Sequence, residues 1–178
     1  MVHELPSPYG SPHRSSRKGK AITAIIIHDT GAREVAGSLA WFGKPESRVS
    51  AHVVIDRDGT VYRVVPDAQA AWHAGAAQLH GEITVNAFSL GVELVDVDGG
   101  TPEPRYTPAQ LQAAAQWCAE RCVTYGIPLN RIVGHDAVAT PHGRKVDPGQ
   151  DFPWATFLLA VAHWIESKAP AMEPLPVV

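Results

Sequence analysis

Cysteine is scarce in this chain of 178 residues: there are two, Cys118 and Cys122, four positions apart in a helical pattern. Residues at that spacing stack along one helix face, where disulfide geometry is hard to reach, so both are expected as reduced core residues. A zinc pair built on them lacks the further cysteines or nearby histidine it would need. Basic charge is not in excess either, with 15 Lys+Arg against 18 Asp+Glu and a formal charge of −3. No global positive field exists to gather phosphate backbones or anionic lipid, which sets nucleic-acid binding aside. No apolar run is long enough to span a membrane, and residues 1–20 are polar and basic rather than a secretory signal, so the protein is expected to be made in the cytoplasm. No internal repeat is visible, and a wall-anchoring repeat module is therefore not expected.

What remains is ordinary globular composition, 45% hydrophobic and 19% charged, in a length that suits one core. Histidine is the exception, with nine copies. It is both the commonest metal ligand and the proton carrier of neutral pH, so the surplus points to site chemistry.

The chain divides on composition into three stretches. Residues 1–20, with Pro6, Pro8, Pro12 and Gly10 and no apolar period, read as an extended arm whose Arg14, Arg17, Lys18 and Lys20 are solvated. Residues 21–168 read as the folded domain, and 169–178 as a Pro-rich tail. Within the domain, Ile22 to Ile27 form a β-branched run ending at His28, the pattern of a strand buried on both faces. Val35, Leu39 and Phe42 predict a short helix stopped by Gly43 and Pro45. Val53–Ile55 and Val61–Val65 flank Asp58-Gly59, a hairpin signal. Ala68 to Val85 has no clean period and reads as a surface loop. Ser89 to Val95 is strand-like, with Glu93 set between apolar neighbours, and a carboxylate there needs a reason. Thr107, Pro108 and Gln110 supply a cap, a first-turn proline and a capping-box partner for a helix to Tyr125 with a core stripe of Leu111, Ala115, Cys118, Cys122 and Tyr125. A strand ending at His135, a long loop to Gly149 and a helix opened by Pro153 complete the series. Interleaved strands and helices with one hairpin predict an α/β fold: a single domain with a central mixed β-sheet flanked by helices, its ligands at the strand ends.

His28 and His135 each terminate a strand, so a sheet that makes those strands neighbours supplies half of a zinc site. Asp147, constrained by Pro148 and Gly149, is a candidate third donor; His142, Asp136 and Asp29 compete with it on spacing. His52 is expected to support the fold, and His3, His13, His80 and His163 to lie on the surface.

Several segments together carry a resemblance: Ile25-Ile26-Ile27-His28-Asp29-Thr30, Ser50 to Gly59, Trp72-His73-Ala74-Gly75, Ser89 to Leu94, and Gly134-His135-Asp136 through Lys145-Val146-Asp147-Pro148-Gly149. In order and spacing they are similar to the type 2 N-acetylmuramoyl-L-alanine amidases, over roughly Ala21 to Glu166. That resemblance implies one zinc ion held by His28, His135 and Asp147, and a substrate in peptidoglycan or its fragments, cut between N-acetylmuramic acid and L-alanine. Some members carry a catalytic tyrosine where this chain has Ala51, so the base role falls on Glu93, with Lys145 stabilising the oxyanion. Trp72, His73 and Asn86 are expected, from family position, to meet the muramyl or peptide portion. The stretch from His135 to Lys145 is longer than in many members, which brings His142 toward the site. A monomeric lytic wall enzyme of endolysin type is the leading expectation. A cytoplasmic muropeptide-recycling amidase, a non-catalytic peptidoglycan-binding module and a zinc peptidase are the competing readings.

Overall fold

The computed structural model describes residues 2–97 and 103–168. The Pro-rich tail expected at 169–178 lies outside them. In chain order the elements are β1 (Glu4–Pro6), β2 (Arg14–Ser16), β3 (Ala24–Asp29), α1 (Val35–Gly43), β4 (Val53–Ile55), β5 (Val61–Arg63), β6 (Gln69–Ala71), β7 (Gln78–Leu79), β8 (Glu82–Ile83), α2 (Val85–Phe88), β9 (Ser89–Leu94), α3 (Pro108–Tyr125), β10 (Ile132–Gly134), α4 (His135–Val138) and α5 (Trp154–Lys168). The main sheet runs β1-β5-β4-β9-β3-β10. β3 is parallel to β9 and β10, while β4 and β5 form the antiparallel hairpin, so the sheet is mixed as the sequence predicts.

Side chains alternate between faces along a strand, and that period of two sorts this sheet's residues by job. Ile25 and Ile27 of β3, Leu90, Val92 and Leu94 of β9, and Val53 and Ile55 of β4 share one face, packed on Trp117, Cys118 and Cys122 of α3 and Phe157 and Val161 of α5. Each such side chain, fully buried, contributes about 1.5–3 kcal/mol. Both cysteines are free and buried. The opposite face carries Ala24, Ile26 and His28 of β3 beside Ser89, Gly91 and Glu93 of β9, with His28 in register with Glu93. Glu93 therefore stands among apolar residues in sequence but shares a face with polar ones in space.

Four expectations need correction. The stretch Ala68 to Val85 is not a surface loop: it holds β6, a β7–β8 hairpin and the buried residues Ala70, Ala71, His73, Ala74, Ala77 and Leu79. Small residues packing singly leave no period to read. The arm is extended but not free, because β1 pairs with the sheet edge at β5 and β2 pairs with β6. Arg17 is buried and donates to the carbonyls of Asp67 at 2.7 Å, Ala87 at 3.0 Å and Ser89 at 3.1 Å. His13 is buried too, its Nε2 lying 2.8 Å from the Lys44 carbonyl. On α3, the buried face is Gln110, Ala114, Ala115, Trp117, Cys118, Ala119 and Cys122, whereas Tyr125 is exposed. Thr107 caps the helix by accepting from the Gln110 amide, but the Gln110 side chain donates instead to the Ile55 and Val95 carbonyls, tying α3 to β4 and to the residue following β9. Among the described residues no helix is long and apolar enough to cross a membrane.

Candidate active site

The carboxyl ends of β3, β9 and β10 converge on one point. Gly134 is paired with Ile27, so His135, at the start of α4, falls beside His28. The loop after α4 returns to bring in Asp147, anchored where the Asp136 amide donates to the Asp147 carbonyl at 3.0 Å and the Tyr106 hydroxyl to the Pro148 carbonyl at 2.6 Å. His28 Nδ1, His135 Nδ1 and Asp147 Oδ2 form a triangle with all three sides 3.0 Å. A tetrahedron with bonds of about 2.0–2.1 Å has edges of about 3.3 Å, so these atoms sit close to the spacing of three zinc donors.

Their protonation fits a cation as well. His135 Nε2 donates to the Ala74 carbonyl at 3.0 Å, which leaves its Nδ1 bare. Burial pushes the His28 imidazole down to about 4, keeping it neutral. Lone pairs facing one another at this distance are satisfied by a shared positive ion. The three residues can hold a metal, and they are the only such group among the described residues. The competing donors lie otherwise: Asp29 accepts from Arg105 at 2.6 Å, Asp136 Oδ1 accepts from the Ala137 amide at 2.8 Å, and His142 is exposed outside the site cavity.

A cavity of about 410 Å³ opens over the triangle, and Glu93 and Lys145 both line it. Glu93 Oε2 is shielded from solvent and has no hydrogen-bond partner among the described residues. Burial, then the charges of Asp147 and Asp29, raise its carboxyl well above the usual range, against the pull of Lys145. Lys145 itself is exposed on the loop.

Of the expected substrate contacts, His73 reaches the cavity, but Trp72 and Asn86 do not line it. Trp72 turns toward His13 and Ser15 instead. Asn86 Oδ1 accepts from the amides of His73 at 3.2 Å and Ala74 at 2.8 Å, holding that segment against the sheet. His73 packs behind His28, its Nδ1 at 3.0 Å from His28 Nε2. His52 supports the fold, as expected: its Nδ1 accepts from the Gly91 amide at 2.8 Å. The apolar wall comes from residues that the sequence does not assign to the site, namely Trp41 and Phe42 of α1 with Val49 and Val146. One signal for Trp41 was available: it lies off the Val35, Leu39, Phe42 stripe, an aromatic left on the open side of its helix.

Two imidazoles and a carboxylate able to hold a metal share a cavity at the ends of parallel strands with a second carboxylate, one oxygen of which is shielded from solvent, and an ammonium, a set of groups suited to metal-assisted hydrolysis. The chain belongs to the N-acetylmuramoyl-L-alanine amidase family, whose model matches residues 18–150. It is 41% identical over 157 residues to the 1,6-anhydro-N-acetylmuramyl-L-alanine amidase AmpD of Citrobacter freundii, an alignment spanning 88% of this chain and 76% of that one. The crystal structure of a selenomethionine AmpD derivative superposes with a TM-score of 0.78 at 30% identity, covering 90% of this chain and 96% of the other. AmiD from E. coli, solved with the substrate anhydro-N-acetylmuramic acid-L-Ala-D-γ-Glu-L-Lys, gives a TM-score of 0.68 at 26% identity, covering 86% and 59%. A mutant endolysin from Bacillus subtilis, at 20% identity and a TM-score of 0.64 over 90% and 99%, shares the fold.

Proposed function

We propose that this enzyme is a zinc amidase that hydrolyses the bond between the lactyl group of N-acetylmuramic acid and L-alanine in soluble anhydromuropeptides, as a cytoplasmic recycling activity. The observation that carries the reading is the triangle of His28, His135 and Asp147 donors with the unpaired Glu93 oxygen in the same cavity. Substrate class is supported by the relative at 41% identity, named for anhydromuramyl-alanine hydrolysis, and by the AmiD substrate complex. The endolysin reading expected from sequence loses its support, because the likeness to an endolysin is at 20% identity and extends to fold alone. The catalytic unit is taken as a monomer, since every group invoked comes from one chain.

A zinc ion held by His28, His135 and Asp147 would supply Lewis acidity, making a water more acidic and polarising the scissile carbonyl. Glu93 takes one proton from the attacking water and passes it to the alanine nitrogen as the C–N bond breaks, and the water's second proton passes from the new carboxyl to the amine, leaving a muramyl carboxylate and an alanine ammonium. Lys145 neutralises the developing oxyanion, and the wall of Trp41, Phe42 and Val49 receives the apolar faces of the substrate. A non-catalytic binding module has no use for the Glu93 and Lys145 pair.

Mass analysis of digests decides it, using a soluble anhydromuramyl tripeptide and intact sacculi, each with and without chelator. The expected result is chelator-sensitive release of peptide with free N-terminal alanine, much faster from the soluble substrate. New termini elsewhere in the stem peptide would make the enzyme a peptidase, and preferential lysis of sacculi would restore the endolysin reading.

A further inference from the structure

We infer that His73 is a positioning residue: through a one-way hydrogen-bond chain ending on the Val85 carbonyl, it fixes the proton of His28 on Nε2 and presents a bare Nδ1 to the metal. This rests on the reading of His28 as a ligand.

The direction of the chain follows from its far end. A backbone carbonyl can only accept, and the Val85 carbonyl lies 2.6 Å from Ser89 Oγ, so the single hydroxyl proton of Ser89 is committed there. Ser89 Oγ is then an acceptor toward His73 Nε2 at 3.1 Å, which places the His73 proton on Nε2 and leaves Nδ1 bare. That nitrogen accepts from His28 Nε2 at 3.0 Å, so His28 also carries its proton on Nε2. Its Nδ1 is left as a lone pair facing His135 Nδ1 and Asp147 Oδ2.

The two histidine ligands reach the same state by different means. His135 donates directly to the Ala74 carbonyl, an acceptor with no alternative. His28 contacts another imidazole, and a contact between two imidazoles has no intrinsic direction because either ring can donate. Ser89 and Val85 supply the missing direction. His73 and Ala74 are consecutive, so one short segment, held by Asn86 Oδ1, orients both ligands. The sheet makes room for it: a Cβ on Gly91 would lie 2.5 Å from His73 Cγ, so only glycine at that register lets the ring lie against β9. Fixing the tautomer and orientation of a metal-ligating imidazole is what outer partners of metal sites do, and losing one typically costs about 10–100-fold in metal affinity.

The test uses the full chain and two readouts that need no substrate: zinc affinity by competition with a chromogenic chelator, and the 15N ring spectrum of His28 in metal-free protein. Wild type should show His28 protonated on Nε2. His73→Leu fills the space but cannot accept, so zinc affinity should fall by about 10–100-fold and a His28 species protonated on Nδ1 should appear. His73→Asn, whose amide oxygen falls near the lost Nδ1, should recover most of the affinity. A folded His73→Leu protein with unchanged zinc affinity and an unchanged His28 spectrum overturns the inference. Should His73→Leu fail to fold, Ser89→Ala carries the question: it frees the His73 proton to move, and an unchanged His28 spectrum there overturns it equally. The outcomes separate from those of the proposed function. Absence of amidase turnover leaves the tautomer result standing, and a wild type that binds no zinc sinks the metal reading while the metal-free spectrum still decides the role of His73.

Discussion

The two walls of the cavity are built on opposite plans. The inner wall, His28, His73 and His135, is 2–8% exposed and comes from the sheet and the segment packed on it, each ring tied to a fixed partner. The outer wall is mostly loop and helix surface: Trp41 is 47% exposed, Val49 39% and Val146 76%, with Phe42 buried beneath them. Buried polar groups with every proton committed are rigid and intolerant of change, whereas exposed apolar groups adapt at little cost. Under the proposed function, the chemistry falls to the inner wall and the choice of substrate to the outer one, with Lys145 on the loop between them.

Substitutions can break that division, most severely at the triangle. His28→Ala or Asp147→Ala should abolish zinc binding and turnover together, while Glu93→Gln should keep zinc, measured by metal analysis, and lose about 10²–10⁴-fold in kcat. A Glu93→Gln enzyme of near-normal rate would remove Glu93 from the mechanism. Lys145→Ala should lower kcat by about 10²-fold with KM little changed, and zinc should stay bound. A loss carried by KM alone would move Lys145 to the substrate-binding outer wall.

Acid should weaken the inner wall through a residue behind it. His52 is buried, and burial followed by the Arg17 charge pushes its imidazole down to about 3. Between about pH 6.5 and that value the unfolded chain binds a proton that the folded chain refuses, so stability falls as pH falls. By about pH 4.5 the loss from His52 is about 2–3 kcal/mol. Urea unfolding of wild type and His52→Gln should therefore differ by that amount in their decline from about pH 7. Parallel declines would mean His52 does not titrate this way. The smallest effect belongs to the outer wall: Trp41→Ala should raise KM by about 3–10-fold at constant kcat, in steady-state assays with the soluble muropeptide.

Legibility in the sequence follows the same division. β3, β9, the hairpin and the two long helices announce themselves by period, capping residues and turn chemistry, and His28 and His135 stand at strand ends that the pattern locates. The segment Ala68 to Val85 and the arm carry no period, because they pack by single small residues, edge pairing and one buried arginine. Family position points Trp72 and Asn86 toward substrate, whereas in the fold Trp72 turns toward His13 and Asn86 anchors the backbone of His73. Position in a motif names a spacing of side chains along the chain but not the direction each one takes.

The sequence by itself determined the alternation that puts His28 and Glu93 on a face of their own, because a period of two is a property of the strand. Which strands became neighbours, and so whether His135 and Asp147 reach His28, was decided only when the sheet assembled and its register aligned Gly134 with Ile27. The same holds for the direction of each proton in the His73 chain, since a hydrogen bond's sense is set by the partner at its far end, and residues 73, 85 and 89 meet their partners only in the folded molecule.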